Sequence, residues 1–206
     1  MNWFAKLFAA TPKSSPEANK RAEPEWNDPG PQFDWTTFEI ALAALLEEEV
    51  RGFATQHPDE QFYAIALDCN AQYGDILICA NTPEALDAIA QRFAASEAGG
   101  MDDARELMRW GVADWKYAGF NLHAPQWQKR YKAILPIGDE LHQPEDIEAF
   151  LETVCRSLIR VERAGVFESL SRTPDFRIAC MDHDEDMVQG DERLERLRSA
   201  MESDAR

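Results

Sequence analysis

Residues 62–86 read FYAIALDCNAQYGDILICANTPEAL, two apolar runs around a polar turn followed by the start of an alanine-rich helical pattern. In the first run Tyr63, Ile65, Leu67 and Cys69 recur at every second position, the spacing of a half-buried strand. The second run, Ile76-Leu77-Ile78-Cys79, is apolar on both faces and reads as an inner strand. Asn70 and Gly74 lie in the turn between them. Thr82 is placed to cap the next helix, with Pro83 at the first helical position, where a missing N–H costs nothing. The unit is a hairpin followed by a helix, a scaffold that displays no chemistry of its own.

Outward from this unit the periodicity is helical. Thr36 or Thr37 is the expected cap of a helix over Thr37 to Phe53, in which Phe38, Leu42, Leu45, Leu46, Val50 and Phe53 share a face. A second helix is expected over Pro83 to Ala95. A third runs from Pro144 to Ala164 on the stripe Ile147, Phe150, Leu151, Val154, Leu158 and Val161, closed by Gly165. Strands are expected at Phe176 to Met181 and near Ala133 to Ile137. These pieces predict a single α+β domain over residues 33–186, an antiparallel sheet packed on one face by helices. Residues 1–32 form an apolar decapeptide and a proline-rich segment, expected to be a disordered, flexible linker. Residues 187–206 are a charged helix or tail.

The chain is strongly acidic, with 21 Lys+Arg against 38 Asp+Glu and a formal net charge of −17. Such a surface repels phosphate backbones and anionic lipid, so nucleic acid and membrane are not the expected partners, whereas a basic protein is. Acidity also serves solubility alone. Cys69, Cys79, Cys155 and Cys180 lie in apolar runs without a C-x-x-C pair, which fits free thiols in a reducing cytoplasm. A disulfide between Cys69 and Cys79 across the hairpin is the geometric alternative.

Two stretches stand out for chemistry. Trp110, Asp114, Trp115 and Tyr117, continued by Trp127, interleave large aromatics with charge, as a binding surface does and as the edge of a core also does. Asp182-His183-Asp184-Glu185-Asp186 joins four carboxylates to an imidazole. Asp182, His183 and Asp184 are candidate ligands for a divalent cation, although the spacing matches no calcium loop and a solvated acidic loop is the plainer reading. The four histidines are scattered, and there is no nucleophile elbow or phosphate loop, so no catalytic residue and no cofactor are assigned.

The order of these pieces resembles a bacterial family known as domain of unknown function 4303. The resemblance is carried by the helix before Phe62-Tyr63-Ala64-Ile65-Ala66-Leu67-Asp68, the Asn81-Thr82-Pro83-Glu84 helix start, the Arg109-Trp110 and Asp114-Trp115 pairs, and Gly165-Val166-Phe167. It covers about Phe33 to Asp186, and its motifs are structural ones. Small acidic proteins of this kind are similar in character to immunity proteins of polymorphic toxin systems, which act by binding. The expected function is therefore a non-catalytic, acidic, cytoplasmic protein-binding domain that neutralises or scaffolds a basic protein. The alternative is a small-molecule or metal-dependent enzyme using the Asp182–Asp186 loop.

Overall fold

A computed structural model describes residues 33–96, 100–135 and 143–203. The expected linker and the N-terminal decapeptide lie outside the described residues. Strand β1 (Gln61–Asn70) is flanked by β2 (Asp75–Asn81) on one side and β3 (Ser171–Asp182) on the other. Six helices accompany them among the described residues: α1 (Trp35–Gln56), α2 (Pro83–Ser96), α3 (Met101–Met108), α4 (Trp127–Ile134), α5 (Pro144–Arg163) and α6 (Met187–Ser203). The α+β class is as the sequence predicts.

The sheet is mixed, which corrects the expectation of an antiparallel one. A tight turn at Ala71–Gly74 forces β2 to run antiparallel to β1, with Cys69 opposite Ile76 and Ala66 opposite Cys79. Several helices separate β2 from β3, so no turn dictates the direction of the last strand. After α5 the chain enters the sheet alongside β1 and parallel to it. The β1–β3 register shifts between Phe62 and Ala64, where Thr173-Pro174-Asp175-Phe176 has no counterpart on β1.

Helices cover both faces of the sheet, not one. Ala64, Ala66, Cys79, Ala179 and Met181 share a cluster with Leu86 of α2, Tyr63, Val112 and Trp115. Cys180 points the other way, to Cys155 of α5 and Cys69. Phe62 to Cys69 are consequently all buried, and β1 has no solvent face. The period-two pattern around Tyr63 had suggested a half-buried strand. Small residues at Ala64 and Ala66 are what let a second layer approach.

The roles of the two hairpin strands are also exchanged relative to expectation. β2 is an edge strand, and its outer edge is closed by a loop. The backbones of Ala80 and Tyr117 exchange two hydrogen bonds of 3.0 and 3.1 Å. Beside them the buried Asn121 side chain accepts from the Ile78 N–H at 2.8 Å and donates to the Ile76 carbonyl at 2.9 Å. An apolar run without charges survives at an edge because that edge is covered.

Helix ends follow local chemistry. Asp34, not Thr36 or Thr37, caps α1, accepting from the Thr37 amide at 3.0 Å. Thr82 Oγ1 accepts from the Ala85 amide at 3.2 Å, as expected. Gly165, past the end of α5, has φ +69°, a conformation that disfavours any side chain. The strand expected near Ala133 to Ile137 is not one: Ala133 and Ile134 end α4, and residues 136–142 lie outside the described part. The in-register partners of Cys69 and Cys79 exclude a bond across the hairpin, and all four cysteines are free and buried. Burial pushes the Cys79 thiol up to about 12.

α4 is tied to the hairpin by one polar contact. Tyr131 is buried and its hydroxyl donates to the Gly74 carbonyl at 2.5 Å. We expect Tyr131→Phe to destabilise the fold by about 1–2 kcal/mol, because the carbonyl loses its donor in a site closed to water. Equilibrium urea unfolding with an unchanged slope is the check.

Candidate functional site

The last turns of α1 carry Glu49, Gly52, Phe53 and Gln56, spaced i, i+3, i+4 and i+7 on one stripe of the helix, and His57 follows as its C-cap. They form one wall of a groove of about 540 Å³ whose other wall is Tyr117, Phe120, His123, Ala124 and Pro125. Gly119, with φ +67°, turns the chain between Tyr117 and Phe120 so that both rings meet α1. Phe120 stacks on Phe53, with centroids 4.1 Å apart and planes at 16°. Tyr117 meets Phe53 edge-on at 5.0 Å, and His57 lies 4.5 Å from Phe53 and 4.6 Å from Tyr117.

Behind the rings is a polar network centred on Glu60. Lys116 Nζ donates to Oε2 at 2.5 Å and the Tyr117 hydroxyl donates to Oε1 at 2.5 Å. His57 Nδ1 stands 3.2 Å from Oε1 and 3.1 Å from the Tyr117 oxygen. Burial works to raise the Glu60 carboxyl, but the bonds from Lys116, Tyr117 and His57 prevail and hold it below its usual value. Burial and the bond to Glu60 push the Tyr117 phenol upward, so it stays protonated.

Counting protons fixes the role of His57 Nδ1. Tyr117 has a single hydroxyl proton, directed at Glu60, so Nδ1 must itself be the donor in its two contacts. At the groove wall, Glu49 has its carboxyl raised by burial and by neighbouring Glu48. The Glu60 network uses donors from Lys116, Tyr117 and His57, while the groove wall itself carries the Glu49 carboxylate beside Gln56 and His123.

The residues singled out from the sequence do not converge on one site. Trp127 is 1% exposed and stacks on Tyr131, and Trp115 is 4% exposed with its indole N–H on the Arg109 carbonyl, so both rings are core. Trp110 is half-buried; its ring lies 5.3 Å from the Arg177 guanidinium and 5.9 Å from that of Arg109. Asp114 is exposed, and Tyr117 alone belongs to the groove.

The acidic run has structural employment. Asp182 accepts from the Ala71 amide at 2.8 Å, Glu185 pairs with Arg193, and Asp186 caps α6 reciprocally with Gln189 at 3.0 and 3.2 Å. His183 stands 3.6 Å from Asp68, and Asp184 is exposed. Among the described residues no three His, Cys, Asp or Glu side chains gather as metal ligands do.

Sequence reasoning passed over Glu49, His57, Glu60 and Phe120. The polar members of the α1 stripe were the available signal; the meeting of His57 with Tyr117, sixty positions away, is tertiary.

Fold and groove together define a small α+β domain with an aromatic cleft, carrying the Glu49 carboxylate, at one end of a mixed sheet. The chain belongs to the family described as Domain of unknown function (DUF4303), which matches residues 42–199. That span includes most of α6, beyond the limit at Asp186 expected from the resemblance. Curated proteins and solved structures provide no match.

Proposed function

We propose that this chain is a non-catalytic, cytoplasmic protein-binding domain of immunity type that neutralises or scaffolds a basic protein. The observation that supports this best is how the positive charges are used. All the described lysines and arginines except Arg92, Lys129, Lys132 and Arg172 stand in ion pairs with carboxylates of their own chain. The surplus of acid therefore faces solvent. On α3, Asp102, Asp103 and Glu106 are exposed beside Leu107, itself 62% exposed, which sets carboxylates next to apolar surface. Charge of one sign steers a partner of the other, and salt screens that steering. No described helix is long and apolar enough to cross a membrane.

The test is capture from the source cell's lysate on the immobilised chain, followed by rebinding of the purified captive. A basic protein bound one-to-one is expected, associating about tenfold more slowly at moderate than at low salt. It should be weakened by the triple reversal Asp102→Lys, Asp103→Lys and Glu106→Lys. Absence of a stoichiometric basic protein, or binding indifferent to salt and to the reversal, overturns the reading.

A further inference from the structure

We propose that the groove between the end of α1 and residues 117–125 is a pocket for an arginine side chain, presented by a cationic partner of the kind inferred above. The identification of the arginine's bearer rests on that reading; the chemistry of the pocket does not.

Three features select the ligand. First, the walls are aromatic: Phe120, backed by the buried Phe53 on which it stacks, and the half-buried Tyr117 and His57 line a space of about 540 Å³, large enough for one long side chain. A guanidinium stacks on such faces, and its weak hydration makes that contact cheaper than for an ammonium. Second, the carboxylate on the groove wall asks for donors. Lys116 and the Tyr117 hydroxyl donate to Glu60 and His57 Nδ1 is turned toward the same carboxylate, so the acid left on the groove wall is Glu49, with the Gln56 amide and the His123 ring beside it. A guanidinium carries five N–H donors and no acceptor. Third, Glu49 is a half-buried carboxylate with no ion-pair partner among the described residues; its neighbour Glu48 holds Arg130 at 2.5 Å. Burial and the neighbouring Glu48 raise the Glu49 carboxyl against the pull of Arg130, whose hydrogen bond goes to Glu48. A carboxylate or phosphate ligand would meet like charge here, and a neutral ring would leave the acceptors unanswered.

The experiment titrates the full chain, isotope-labelled for amide NMR, with three blocked tripeptides, acetyl-Gly-X-Gly-amide, in which X is arginine, lysine or citrulline. Citrulline keeps the planar shape of arginine without its charge. The arginine peptide is expected to shift the amides of residues 52–57 and 117–125 and to bind at least about tenfold more tightly than either of the others. Glu49→Gln, a conservative change at a half-exposed position, should weaken it by about tenfold, as should Phe120→Ala, while Val188→Ala, at an exposed position of α6, leaves it unchanged. Equal binding of citrulline or lysine, shifts that map outside the groove, or indifference to Glu49→Gln would each overturn the proposal. The two proposals fail separately. Arginine binding without any protein partner keeps the pocket and removes the immunity-type reading; a basic partner unaffected by Glu49→Gln does the reverse.

Discussion

Arg193→Ala is expected to lower stability by about 3–5 kcal/mol at neutral pH, because it strands a half-enclosed carboxylate. The Arg193 side chain is 8% exposed and Glu185 is 17% exposed. The guanidinium donates through Nη1 to Glu185 Oε2 at 2.8 Å and through Nη2 to Oε1, a two-pronged contact. The same Glu185 carboxylate accepts from the Asp182 amide at 3.0 Å, so the pair pins α6 to the end of β3. Arg193 also stands 3.7 Å from Glu148 of α5. Replacing Arg193 and Glu185 together by Met and Leu should cost far less than either truncation, since no charge is left behind.

The pH dependence has a definite sign. Bonds from Arg193 hold the Glu185 carboxyl below its ordinary 4.5 in the folded chain, although burial opposes them. The stability this carboxylate contributes is fully present above the unfolded value, near pH 4.5, and is lost as pH falls through the depressed folded value. The gap between parent and Arg193→Ala should therefore be widest near neutrality and narrow below about pH 4.5, where Glu185 takes up a proton and no longer requires a cation. Denaturant unfolding at several pH values measures both. A gap that stays constant down to pH 3 would show that Arg193 acts by packing alone.

Asn121→Leu should cost about 2–4 kcal/mol and, in a chain of this length, lower Tm by roughly 5–15 °C. The side chain is wholly buried and stands in for a missing strand, satisfying one N–H and one C=O of β2. Leucine matches its size and neither of its bonds. The Ile78 amide should lose hydrogen-exchange protection ahead of the β1 amides, which localises the damage to the edge. Asn121→Asp is informative in another way. It retains an acceptor for Ile78 but has no donor for the Ile76 carbonyl and buries a charge, so at neutral pH it should be at least as harmful as leucine. If both variants unfold like the parent, a water or a backbone shift has taken over the edge and the structural role assigned to Asn121 is wrong.

Elements with a strong local code were readable from the residues alone. The stripes Phe38 to Phe53 and Ile147 to Val161, the Thr82-Pro83 start and the Gly165 stop each depend on neighbours within one or two turns, and α1, α2 and α5 lie where these signals put them. The hairpin at 62–81 was legible for the same reason. Size and apolarity at Trp115 and Trp127 fitted a binding surface and a core edge alike, and the structure decided for the core.

What is not local was not legible. Whether β3 joins β1 parallel or antiparallel depends on where α5 delivers the chain, and no residue in Phe176 to Met181 encodes that delivery. The same blindness explains why β2 looked like an inner strand: apolarity reports that an edge is covered, not what covers it, and here the cover is Tyr117 and Asn121, some forty positions on. The groove is the extreme case. His57, Glu60, Tyr117 and Phe120 are ordinary residues at scattered positions, and their hydrogen bonds and ring contacts exist only once the turn at Gly119 has returned the chain to the end of α1. Periodicity determined the elements, because each helix or strand must hide one side of itself; the site was decided by tertiary structure, because charges and hydrogen bonds acquire their partners only when distant segments meet.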